Sequence, residues 1–133
     1  MGCDVHTFTE VKHKNKWVLH QVGNVDRNYD MFERMAGVRG ETNKAIAPPR
    51  GLPLDISDGT RLHYEYEKPD AHSESYLTWL EFNQLMKEFR DDNVFLEGQF
   101  GWLFNDGYSR EDWDEKISKP PIDDVRVVFW FYN

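Results

Sequence analysis

Asp4 and His6 stand two residues apart in Gly2-Cys3-Asp4-Val5-His6. Two residues of strand is about 7 Å, close enough for a carboxylate and an imidazole to meet one ligand, proton or metal. The same spacing also suits the solvated face of an edge strand. A second grouping is Arg27-Asn28-Tyr29-Asp30. Cations are disfavoured at a helix start, so Arg27 needs either a carboxylate of the protein or an anion bound beside the free amides. Arg39 and Arg50 flank a Gly/Pro-rich stretch and have two readings, a solvated loop cation or a phosphate clamp. The third grouping is His72-Ser73-Glu74-Ser75, just before a helix. Hydroxyls, an imidazole and first-turn amides can hold a phosphate there, or the serines merely organise the turn. His13, His20 and His63 have surface-like neighbours and read as bland.

Asp4, His6 and His72 are of types that hydrolytic metals use, but His-x-x-x-His, His-Glu-x-x-His and Cys-x-x-Cys are all absent. A metal centre would therefore rest on assembly in space alone. Alternation along a regular strand sets Cys3, Val5 and Thr7 on one face and Asp4 and His6 on the other, which separates a Cys3 nucleophile from a His6 base. The motifs Gly-x-Ser-x-Gly and Gly-x-x-x-x-Gly-Lys-Ser/Thr are missing too. His6-Thr7-Phe8 and His72-Ser73-Glu74 do not supply the paired His-x-Ser/Thr segments of a two-histidine phosphoesterase.

These groups need elements to hold them. Residues 2 to 11 and 17 to 22, rich in β-branched and aromatic types around the turn-like 13–16, predict a β-hairpin. Asp26 is a candidate N-cap for a short helix carrying Tyr29, Phe32 and Ala36, stopped by Gly37. From Val38 to about Asp58 the glycines and prolines predict a long loop, of the kind that is often a functional lid or disordered. Residues 59 to 68 suit a helical turn or two with Leu62 and Tyr66 packed, ended by Pro69. Thr78-Trp79-Leu80-Glu81 is a capping box, and Phe82, Leu85, Met86 and Phe89 follow at helical spacing, so a helix is expected from Trp79 to about Arg90, ended by Asp91-Asp92-Asn93. Residues 94 to 119 mix aromatics with turn signals. Asp124 to Tyr132 is apolar on both pleat faces except at Arg126, as in a strand covered on both sides. The expected fold is one α+β domain spanning residues 1–133: a sheet with an N-terminal hairpin and a buried C-terminal strand, packed by two or three helices, with a long Gly/Pro-rich loop.

The 133 residues suffice for one core. One cysteine excludes an intramolecular disulfide and a four-cysteine zinc site, and favours a reducing compartment. Lys and Arg total 16 against 24 Asp and Glu, a net of −8, which argues against sequence-independent binding of nucleic-acid duplex. The chain has neither a membrane-length apolar run nor a basic signal-like opening, and His6 stands where an N-myristoylation pattern wants Ser or Thr. The expectation is a soluble cytoplasmic protein. No cofactor is required by the sequence.

At the same segments the chain resembles a family of short phage and bacterial proteins that open Met-Gly-Cys-Asp-(Ile/Val)-His. The resembling pieces are Met1 to His6, Arg27 to Phe32, Ala36 to Arg39, Arg50 to Pro53 with Asp55 and Ser57, His72-Ser73, Ser75 to Thr78, and Val127 to Phe131. Tyr132 stands where the family has an aspartate. A phage setting, the host cytosol, would imply interference with a host defence system, by binding a nucleotide messenger or covering a host enzyme.

Three readings follow. In the first, Asp4, His6, Arg27, Asn28, Tyr29, Arg39, Arg50, His72, Ser73 and Ser75 line one polar pocket for an anionic, nucleotide-like ligand. Arginine would pair with phosphate, Asp4 would accept from a base or ribose, and Tyr29 or Trp79 would stack. In the second, Asp4, His6 and His72 are metal ligands or acid/base groups of a metal-assisted hydrolase of a phosphate ester. In the third, an acidic surface blocks a host protein without any pocket. Self-association stays open in all three.

Overall fold

In the computed structural model, which describes residues 2–25, 27–89 and 124–133, the chain opens with β1, Asp4–His13, and β2, Lys16–Asn24. Lys14 and Asn15 between them both take positive φ, 53° and 63°. Two successive left-handed residues twist the chain in the sense that antiparallel strands need. Helix α1, Tyr29–Ala36, follows, capped by Asn28, whose side chain accepts from the Met31 amide at 3.1 Å. The cap is thus Asn28 and not Asp26, which lies outside the described residues. Gly37 ends α1 at φ 75°, as its position suggested, and its amide bonds back to the Glu33 carbonyl.

Helix α2, Asp58–Glu67, starts at Ser57, whose hydroxyl accepts from the Thr60 amide. Strand β3, Ala71–Thr78, leads straight into α3, Trp79–Glu88. The capping box forms as read, Thr78 and Glu81 each accepting the other's amide. Strand β4, Val125–Tyr132, closes the chain. The expectations for 90–123 lie outside the described residues.

All pairings are antiparallel, in the order β2-β1-β4-β3. The C-terminal strand therefore lies inside the sheet, as its two-sided apolarity required, and Val125 to Phe131 are buried. On one face Val127, Phe129 and Phe131 join Cys3 and Val5 under Phe32 and Met35 of α1 and Phe82 and Leu85 of α3. On the other, Val128 and Trp130 join Phe8 under Tyr64 of α2 and Leu52 and Ile56 of the loop. Burying each such aromatic contributes about 1.5–3 kcal/mol, so the faces of β4 anchor both layers. This α+β architecture is the one expected, with two departures. Leu62 and Tyr66 are exposed, at 73% and 89%, because Tyr64 is the α2 residue that packs on Trp130. Residues 71–76, read as a turn before the helix, form β3.

The Gly/Pro-rich stretch carries one short 3-10 turn, Thr42–Lys44, and is pinned along its length. Arg50 holds Glu81 with two hydrogen bonds, 2.8 and 2.7 Å, and the Tyr76 carbonyl with a third, while its amide donates to Ser75 Oγ. Arg126 spans the buried Glu10 carboxylate at 2.7 Å and Asp55 at 2.8 Å, and Glu10 also accepts from the Ser57 amide. A carboxylate and guanidinium removed from water must saturate each other in this way, and here their bonds tie the loop to the sheet. The segment expected as a lid is thus bonded to the sheet.

Candidate functional site

The polar residues gather where β1 begins, β3 begins and β4 ends, since Asp4 pairs with Tyr132 and Tyr132 with Ala71. Alternation then sorts them. His6 opposes Trp130 while His72 opposes Phe131, so the two imidazoles leave opposite faces of the sheet. A single cavity holding both is thereby corrected: the sheet itself stands between them, and Asp4, His6 and His72 do not converge on one metal. Among the described residues no group of three or more His, Cys, Asp or Glu side chains is placed to hold a metal ion.

On the α2 face lies a cavity of about 440 Å³ lined by His6, His63, Tyr66, Glu67, Asp70 and Tyr132. This is within the range of small-molecule sites. His6 Nδ1 and Glu67 Oε1 are 2.5 Å apart, and the same oxygen accepts from Trp130 Nε1 at 3.4 Å. Glu67 reaches them because it closes the last turn of α2, the helix that Tyr64 and His63 seat on Trp130 and Phe8. Tyr132 packs on His6 with ring centroids 4.3 Å apart. Burial, with Asp4 and Glu67 nearby, pushes the Tyr132 hydroxyl above its ordinary range. Chemically, a carboxylate fixed on one imidazole nitrogen leaves the other nitrogen for a ligand proton, and the two tyrosine rings offer flat apolar surface.

Arg27 grips Asp4, the cross-strand partner of the cavity-lining Tyr132, with Nε and Nη2 at 2.7 and 3.0 Å, which is the protein-carboxylate option for that arginine. The guanidinium holds the Asp4 carboxyl below its ordinary range and is itself raised by Asp4. Gly2 is part of this arrangement, because any side chain there would occupy the space of the Arg27 guanidinium.

On the opposite face a second cluster surrounds the buried Cys3. Its sulfur lies 3.9 Å from His72 Nε2, and its amide donates to the Tyr29 hydroxyl at 3.3 Å. Burial pushes the thiol up, while Arg39, stacked over the Tyr29 ring at 5.1 Å, pulls the other way. His72 also meets Ser73 Oγ at 3.1 Å and Asn133 Oδ1 at 3.2 Å. A register shift in β3, with Ser73 at φ 55°, aims the imidazole at Cys3, which is what bulges do beside functional groups.

Of the ten residues read as ligand-binding, Asp4, His6 and Arg27 are at or beside the α2-face cavity. Tyr29, Arg39, His72 and Ser73 belong to the Cys3 cluster. Asn28 caps α1, and Arg50 and Ser75 fix the loop. Trp79 is buried in the α1/α3 core, away from a stacking role at either cluster. Five of the six cavity residues, His63, Tyr66, Glu67, Asp70 and Tyr132, were missed. Glu67 sits in a segment read as a mere helical turn, and its spacing three residues before Asp70 gave no signal. His63, read as bland, lines the cavity because the packing of α2 turns it toward Phe8.

No protein-family model, no curated protein and no solved structure matches the chain.

Proposed function

We propose that the α2-face cavity binds a nucleotide-like anion. Its base would lie among Tyr66, Tyr132 and His63, with ring or ribose donors on Asp70 and Glu67 and a phosphate at Arg27. The observation that carries the reading is the cavity of about 440 Å³ that joins two tyrosines, two imidazoles and two carboxylates, with the Arg27–Asp4 pair across the strand from its Tyr132. Aromatic faces take a base without regard to its identity, and carboxylates accept from its exocyclic amines or from ribose. The phosphate belongs at Arg27 because the lining itself is acidic. In the phage setting that the opening resemblance implies, capture alone would lower the free level of a host signalling nucleotide.

The test is a mass analysis of small molecules released by heating natively purified protein, with a thermal-shift panel of mononucleotides and dinucleotides. A bound nucleotide is expected, or a ligand at 100 times its Kd that stabilises the fold by about 2.7 kcal/mol. Tyr66→Ala and Arg27→Ala should each weaken the shift. If nothing nucleotide-like is released and no nucleotide raises the melting temperature, the reading is wrong.

A further inference from the structure

We propose that this cavity also cuts its ligand, acting without a metal on a ribonucleoside 3′-phosphodiester, with His6 as general base and His63 as general acid. The inference rests on the nucleotide-binding reading and goes past it by assigning a reaction. Its first support is the His6–Glu67 pair: Nδ1 is committed to the carboxylate at 2.5 Å, and Trp130 bonds the same oxygen from the sheet. A carboxylate that receives Nδ1–H fixes the tautomer in which Nε2 carries the lone pair and stabilises the imidazolium once a proton arrives. The second support is another imidazole in the same cavity. His63 enters from α2 while His6 enters from β1, and both rings contact Phe8, whose centroid is 6.4 Å from that of His6 and 5.1 Å from that of His63.

Two imidazoles reaching one cavity from different elements can serve the two ends of a displacement at phosphorus. His6 Nε2 takes the proton of the ribose 2′-hydroxyl, and O2′ forms a bond to phosphorus. The bond from phosphorus to the 5′-oxygen of the next nucleoside breaks, and that oxygen takes a proton from the His63 imidazolium. The products are a 2′,3′-cyclic phosphate and a free 5′-hydroxyl, leaving His6 protonated and His63 neutral. Arg27 supplies positive charge to the phosphoryl oxygens. No oxidant, metal or second substrate enters the balance. The substrate class is a linear or cyclic ribodinucleotide whose 2′-hydroxyl neighbours the 3′-linkage.

The experiment incubates the whole protein, with a chelator present, with a panel of ribodinucleoside monophosphates and their 2′-O-methyl analogues. Products are followed by chromatography and mass, and analogue binding by calorimetry. Cleavage to a 2′,3′-cyclic phosphate is expected, with none from the analogues, which should still bind. His6→Gln and His63→Gln should each slow cleavage by about 100-fold or more while keeping a cooperative urea unfolding transition, which shows that they fold. Analogue binding with the ribodinucleotides returned intact would overturn the cleavage and leave the binding reading standing. Binding of neither set would overturn both, and cleavage undiminished in His6→Gln would overturn the assignment.

Discussion

His6 and His72 project from opposite faces of one sheet although their partners across β4, Trp130 and Phe131, are consecutive residues. A step of one residue along an antiparallel strand reverses the face, so two imidazoles that end near the same edge serve different layers. His6 meets Glu67 of α2, and His72 meets Cys3 beside Tyr29 of α1.

The Glu10–Arg126 pair should dominate the stability of the loop side. Arg126 is 7% exposed and Glu10 is fully buried, so Arg126→Ala leaves a carboxylate uncompensated in the interior. Urea unfolding should register a loss of about 3–5 kcal/mol. Lys16→Ala, which removes an exposed partner of Asp58, should change stability by less than about 0.5 kcal/mol. Equal effects from the two would contradict the structural role given to Arg126.

Acid should weaken the fold through carboxylates held by arginine. Arg50 lowers Glu81, chiefly by hydrogen bonding, and Arg27 and Arg126 do the same to Asp4 and Asp55. The ordinary values are 4.5 for the glutamate and 3.8 for the aspartates. Just below these the unfolded chain has taken protons that the folded chain still refuses, so stability rises with pH. The contribution is complete above them and disappears as pH falls through the lowered folded values. Glu81→Gln should cost about 0.5–1 kcal/mol at pH 7 and nothing once the native carboxyl is protonated. Chemical denaturation across that acid range checks this, and a pH-independent cost would refute it.

Cys3 should be a slow nucleophile in the native protein. Its side chain is fully buried and burial raises the thiol, so little thiolate is present or reachable despite the nearby Arg39 and His72. Alkylation by iodoacetamide near pH 8 should proceed slowly until denaturant opens the fold, and the modified chain should then fail to regain native stability. Rapid native alkylation would instead mark the Cys3–His72 pair as an activated thiol.

The periodic elements were legible because their signals are local. The hairpin, the capped α3 and the two-sided apolar β4 each declare themselves through residues adjacent in sequence. Strand β3 was not legible: its inward Ser75 and Leu77 alternate with Glu74 and Tyr76, but the register shift at Ser73 breaks the alternation where it would begin. The site was partly legible for the same reason. Asp4 and His6 stand out by spacing and Arg27 by its need for an anion, whereas Glu67 is defined only by where α2 sits, 61 residues away from its imidazole partner. Tertiary placement also reversed the readings of Leu62 and His63, since the face that α2 turns to the sheet depends on Phe8 and Trp130.

Histidine-ring NMR during a nucleotide titration tests the binding site most directly, because the five imidazoles are distributed over separable surroundings. With a ribodinucleotide 2′-O-methyl analogue, the ring signals of His6 and His63 should move together and saturate, while that of His13 in the hairpin stays fixed. Movement confined to His72, or no saturable movement at all, would contradict a ligand seated between β1 and α2.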